Sequence, residues 1–146
     1  MRIAVINGPN LNLLGIREPA LYGQQTLGDI EARLRVVARE LRVDVEFAQQ
    51  NGEGALIDYV QSLRNRVDGA VVNAGAYSHT SLALRDAFLA VDVPFVEVHV
   101  TNIFAREPER RHSMLAPAAL GVLCGFGTYG YELALRGLVT RLAPGD

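Results

Sequence analysis

Five groups of residues have the types and spacing that chemistry needs. Asn10, Arg17 and Tyr22 share the stretch from Asn7 to Gly23. A tyrosine beside a guanidinium is a route to a phenolate base. Bringing a phenol two units below its usual pKa of about 10 takes roughly 2.7 kcal/mol of preferential stabilisation of the anion, which one or two poorly solvated arginines can supply. Glu97 and His99 lie two residues apart, which on a strand turns both side chains to one face. The carboxylate can then orient the imidazole and favour its protonated form, as a general acid requires. Val100 and Thr101 follow, where exposed N–H groups and a hydroxyl make a cradle for a carboxylate. Asn73 and His79 flank a turn suited to reading the hydroxyls of a polyol, ahead of a helix that carries Arg85 and Asp86. Arg106, Arg110 and Arg111 come last, as substrate clamps or as interface ion pairs.

Each group has a plainer alternative. The first stretch can be an Ω-loop packed by its own leucines. Thr80 or Ser81 can be no more than a helix N-cap. His99 and Glu97 can be read as metal ligands, but the chain has three histidines, none paired at helical i, i+4 spacing.

The elements that must position these residues are legible as alternating patterns. Ile3–Ile6, Val43–Phe47, Ala70–Val72, Phe95–Val98 and Leu120–Leu123 are short apolar runs bounded by Gly, Pro, Asn or Asp, as buried parallel strands are. Between them fall helical repeats. The clearest starts at Thr26, a plausible N-cap, and puts Leu27, Ile30, Leu34, Ala38 and Leu41 on one face. Leu56, Val60 and Leu63 repeat the spacing, as do Leu84, Phe88 and Val91, and Tyr131, Leu135, Leu138 and Leu142. Five βα units predict a flavodoxin-like three-layer α/β/α fold with a five-stranded parallel sheet, in a single domain spanning 1–146. Such sheets bind ligands beyond the carboxyl ends of their strands. Every group singled out above falls there, and the connection after the first strand exceeds the two to six residues usual for a βα loop.

Composition narrows the chemistry. All 14 basic residues are arginine, so Schiff-base catalysis, pyridoxal-phosphate enzymes and the phosphate-binding lysine of a P-loop are excluded. No Gly-rich dinucleotide fingerprint opens the first helix. A net charge of −2, with Arg106, Arg110 and Arg111 interleaved by Glu107 and Glu109, argues against a nucleic-acid partner. No apolar stretch is long enough to span a bilayer and no secretory signal is apparent, so the expectation is a soluble, cytoplasmic protein without membrane partners. The lone Cys124 sits in the apolar run LGVLCGF and is expected to be a buried free thiol.

Four ordered segments together resemble type II 3-dehydroquinate dehydratase: NGPNLNLLGIREPALYG at 7–23, NAGAYSHTSLALRDAF at 73–88, PFVEVHVTN at 94–102 and AREPERRHS at 105–113. The likeness runs essentially end to end. It implies a lyase, free of cofactor and metal, that dehydrates 3-dehydroquinate to 3-dehydroshikimate by anti elimination through an enolate. That reaction serves the shikimate pathway toward chorismate and the aromatic amino acids, and quinate breakdown shares it. By the same resemblance Tyr22 is the base and Arg17 favours its phenolate. His99 is the acid, held by Glu97, and Asn10 positions a water on the enolate oxygen. Val100 and Thr101 hold the substrate carboxylate, while Asn73, His79 and Arg110 contact the ring substituents. Asp86 acts at the rim across a subunit boundary, in trimers assembled into a dodecamer. Thr101 stands where serine is frequent, keeping the hydroxyl; Phe104 and Glu109 also depart from the usual pattern. The alternative left by the residues alone is a flavodoxin-like module that binds a small ligand without catalysis.

Overall fold

The computed structural model describes residues 1–16 and 18–145. They form five strands, β1 (Arg2–Asn7), β2 (Asp44–Gln49), β3 (Gly69–Asn73), β4 (Phe95–His99) and β5 (Gly121–Cys124). The helices are α1 (Pro19–Tyr22), α2 (Leu27–Leu41), α3 (Glu53–Ser62), α4 (Tyr77–Thr80), α5 (Leu82–Val91) and α6 (Tyr129–Leu142), with short 3-10 turns in the connections. All strand pairs are parallel and the order is β2-β1-β3-β4-β5, the doubly wound arrangement expected of a flavodoxin-like sheet.

Alternation along the strands divides the core in two. Ala4, Ile6, Ala70, Val72 and Phe95 turn toward α3 and α5, where they meet Leu56, Val60, Leu84 and Phe88. Ile3, Val5, Val71, Val96 and Val98 turn the other way and meet Ile30, Leu34, Val37, Tyr131, Leu135 and Leu138 of α2 and α6. A sheet apolar on both faces must be covered by helices on both, which produces the three layers.

Helix boundaries follow local chemistry. Thr26 opens α2 with a reciprocal capping box: its hydroxyl accepts from the Asp29 N–H at 3.1 Å, and the Asp29 carboxylate accepts from the Thr26 N–H at 3.0 Å. Ser81 is the N-cap of α5, accepting from the Leu84 N–H at 2.9 Å, so the plain reading of that serine is the one the structure bears out.

One expectation fails. Cys124 is only half-buried, because β5 is an edge strand and one of its faces is left open, as the exposed Leu120 and Val122 also show. Among the described residues no helix is long and apolar enough to cross a membrane.

Candidate active site

The strand order reverses between β1 and β3, and the segments leaving their carboxyl ends part there and open a crevice. Two glycines let these segments run close together. A Cβ on Gly8 would lie 2.3 Å from the Ala74 carbonyl oxygen, so only glycine permits the Gly8 N–H to bond the Asn73 carbonyl at 2.8 Å. Gly75 adopts φ +58° against the Pro9 carbonyl, where a side chain would be both strained and crowded.

The resulting cleft is lined by Asn10, Tyr22, Asn73, His79, His99, Val100, Thr101, Arg106 and Arg110, among others. Most of the predicted site residues thus converge, from the connections after β1, β3 and β4. A second cleft, between the starts of α2 and α6, is lined by Gln25, Asp29, Arg33, Thr128 and Glu132 and holds none of them.

The β4 side of the site is buried. Glu97 is fully inaccessible and His99 5% exposed. Glu97 Oε2 lies 3.1 Å from His99 Nε2, close enough for a charge contact, although the pair is not aligned as a hydrogen bond. The other carboxylate oxygen, Oε1, accepts from the Ser113 hydroxyl. The His79 ring stacks on His99 with 5.7 Å between centroids and an interplanar angle of 24°. Its Nδ1 lies 2.6 Å from the His112 carbonyl, an acceptor only, so Nδ1 carries the proton and Nε2 is left as an acceptor. Burial pulls the His79 pKa below the usual histidine value, and the neighbouring His99 and Arg110 act in the same direction.

Asn73 is held from behind. Its Nδ2 donates to the Tyr131 hydroxyl at 2.9 Å, its Oδ1 accepts from the Gly75 N–H at 3.2 Å, and the Tyr131 hydroxyl donates to Asn7 Oδ1 at 2.6 Å. Tyr131 has no access to solvent, and burial raises its pKa far above the ordinary phenol value. It is therefore a neutral, structural phenol.

The β1 side is built from exposed segments. Asn10 takes the left-handed region at φ 69°, a conformation asparagine tolerates, and its N–H donates to Asn51 Oδ1 at 3.0 Å. Tyr22 ends the one-turn helix α1, which Glu18 enters at φ 45° and Gly23 leaves at φ 83°. Arg106 reaches it from the far side of the cleft: its Nη1 donates to the Tyr22 hydroxyl at 2.6 Å and to Thr101 Oγ1 at 3.5 Å, with the guanidinium carbon 5.4 Å from the Tyr22 ring centroid. The arrangement sets a charged donor on the phenolic oxygen.

The remaining expectations divide. Arg17, predicted as the cation beside Tyr22, lies outside the described residues. Arg106, read only as a substrate clamp or an interface ion pair, sets a guanidinium against Tyr22, and this contact is the one sequence reasoning missed. The signal was available: Arg106 follows β4 as Tyr22 follows β1, and both strands end at the same crevice. Arg110 lines the cleft and pairs with Glu107, while Arg111 donates to the Arg106 carbonyl at 2.5 Å. Asp86 is exposed on α5 and is not part of the cleft lining of its own chain.

Comparisons with known proteins agree on the family. The family model described as dehydroquinase class II matches residues 1–139. A protein of Gemmatimonas aurantiaca named 3-dehydroquinate dehydratase is 65% identical over 142 residues, covering 97% of this chain and 93% of its own. A protein of Verticillium alfalfae named catabolic 3-dehydroquinase is 54% identical over 135 residues, covering 92% and 90%. The crystal structure of a type II dehydroquinase from Propionibacterium acnes superposes with a TM-score of 0.91 at 42% identity, covering 95% of this chain and 96% of that one.

Proposed function

The chain belongs to the class II dehydroquinase family and is a 3-dehydroquinate dehydratase, and from that premise we propose that Tyr22 is the base and His99 the acid of the reaction. The observation that supports this most is the convergence on one cleft of a phenol hydrogen-bonded to a guanidinium and an imidazole backed by a buried carboxylate.

In this reading Tyr22 removes the proton from the carbon α to the ketone, and the electron pair moves onto the carbonyl oxygen as an enolate. Arg106 holds the phenolate; Arg17 is assigned the same task from the family resemblance. A water held by Asn10 hydrogen-bonds the enolate oxygen as charge develops there. Collapse of the enolate forms the carbon–carbon double bond and expels the tertiary hydroxyl, to which His99 delivers a proton, so one water leaves for each substrate. Glu97 stabilises the imidazolium before transfer and keeps the ring in place. The Val100 and Thr101 N–H groups and the Thr101 hydroxyl hold the substrate carboxylate. Asn73, neutral His79 and Arg110 read the ring hydroxyls, with His79 Nε2 as an acceptor.

Asp86 lies outside the cleft of its own chain, and we assign it to the rim of a neighbouring subunit's cleft in a trimer, with trimers joined into a dodecamer. The same elimination serves shikimate-pathway synthesis or quinate breakdown, and we assign this chain to the former. The test of the activity is direct: purified protein mixed with 3-dehydroquinate, in the presence of a chelator, generates the ultraviolet absorbance of the conjugated enone. A module that only binds the ligand would leave it unconsumed and the absorbance flat.

A further inference from the structure

Ser113 lies outside the set of residues lining the cleft, yet it is tied into the acid side of the site. Its hydroxyl donates to Glu97 Oε1 and accepts from the Leu115 and Ala116 N–H groups, each at 3.1 Å. With two backbone donors on its oxygen, the hydroxyl proton is left to point at the carboxylate. The segment around it is pinned to α4: His112 Nε2 lies 2.9 Å from the His79 carbonyl, His79 Nδ1 lies 2.6 Å from the His112 carbonyl, and the Met114 N–H donates to the Ser78 carbonyl at 2.7 Å.

A fully buried carboxylate needs donors or a countercharge. Among the described residues, the Ser113 hydroxyl is the hydrogen-bond donor Glu97 has, and it engages Oε1 alone. Oε2 is left without a hydrogen bond and 3.1 Å from His99 Nε2. The asymmetry fixes which oxygen faces the imidazole.

We propose that Ser113 is a positioning residue for proton delivery by His99: it locks Glu97 in the rotamer that holds the imidazole, and its pinning to α4 couples the placement of His99 to that of His79. The proposal rests on the reading of His99 as the acid. The same backbone segment that bonds His79 carries the serine that holds Glu97, so the acid and a ring-binding residue are registered together. His99 faces Glu97 on its own strand, His79 on α4 with His112 against its far side, Cys124 in register on β5, and Tyr22, Arg106 and Arg110 around the cleft. Only Glu97 in that set exchanges a hydrogen bond with Ser113. Loss of the serine therefore acts on His99 through Glu97.

The test compares Ser113→Ala and Ser113→Thr with the unaltered protein in kcat, KM and the pH dependence of kcat. Ser113→Ala is expected to lower kcat on the order of tenfold, as loss of a partner that orients a reacting ligand does, with KM within about twofold. Its pH profile changes as well, because a Glu97 carboxylate free to rotate no longer holds Oε2 against the imidazole. Ser113→Thr, which keeps the hydroxyl, restores both. Full turnover by Ser113→Ala, or a loss with an unmoved pH profile that threonine does not repair, overturns the proposal. His99→Ala serves as the separate control: full turnover by that variant refutes the reading of the acid, whatever Ser113 does.

Discussion

The two sides of the cleft are built in opposite ways. His99 and Glu97 belong to β4, a strand buried along its whole length, and the two side chains set against them, His79 and Ser113, are each fixed by hydrogen bonds to the main chain. Tyr22 ends a single helical turn that has no buried residue and is entered and left through positive-φ backbone. Its ring rests against the edge of the core, and its hydroxyl is bonded across the cleft by a guanidinium 84 positions away in the chain. The proposed acid is placed by a buried strand, whereas the hydroxyl of the proposed base is met by a side chain from across the cleft, and perturbing the two sides should give different signatures.

The largest effects are expected at the two groups proposed to react. Tyr22→Phe and His99→Ala are each expected to lose about 10²- to 10⁴-fold in kcat, the range for removing a general base or acid. The two differ in stability. Tyr22→Phe leaves the melting temperature nearly unchanged, because phenylalanine keeps the ring that packs against the core and loses only the hydroxyl, while His99→Ala lowers it by opening a gap beside Glu97 and His79. Equal melting temperatures would erase the contrast. Next comes Arg106→Ala, expected to lose on the order of 10²-fold in kcat by removing a cation aimed at a developing charge. Arg106→Lys recovers only part of this, since the shorter side chain does not bring its ammonium to the position from which Arg106 Nη1 meets both the phenol and Thr101. An Arg106→Ala variant with full kcat would show that Tyr22 does not depend on its partner across the cleft.

Behind the strand side, Tyr131→Phe leaves Asn7 Oδ1 and Asn73 Nδ2 without their shared partner. It is expected to cost about 1–3 kcal/mol of stability in chemical denaturation. The smallest effect is in pH. Burial holds the His79 pKa below that of the unfolded chain, so in the window just under about pH 6.5 the unfolded state binds more protons than the folded one. Stability from this group is present above the window and is lost as the pH falls through it. A His79→Asn variant should show a shallower decline in melting temperature between pH 7 and pH 5 than the unaltered protein.

The same division decides what could be read from the sequence. β1, β3 and β4 are legible because both sheet faces are covered, which forces continuous apolar runs, and α2 is legible because its cap and its apolar stripe agree. Glu97 and His99 are legible as a pair because strand geometry alone puts them on one side. Arg106 is not, because its role depends on two connections meeting above the sheet, a fact of strand order rather than of local sequence. Cys124 misleads for the same reason: an apolar run reads alike in a central strand and at an edge. Ser113 carries no local signal either, being one serine among several until the chain returns it to Glu97.

The central claim is that proton removal and hydroxyl departure are separate tasks assigned to Tyr22 and His99. Deuterium uptake from heavy water into unreacted 3-dehydroquinate tests it most directly. A His99→Ala variant, with the base intact, should exchange the α-proton while forming little product, and Tyr22→Phe should do neither. Exchange by Tyr22→Phe together with none by His99→Ala would contradict the assignment of base and acid.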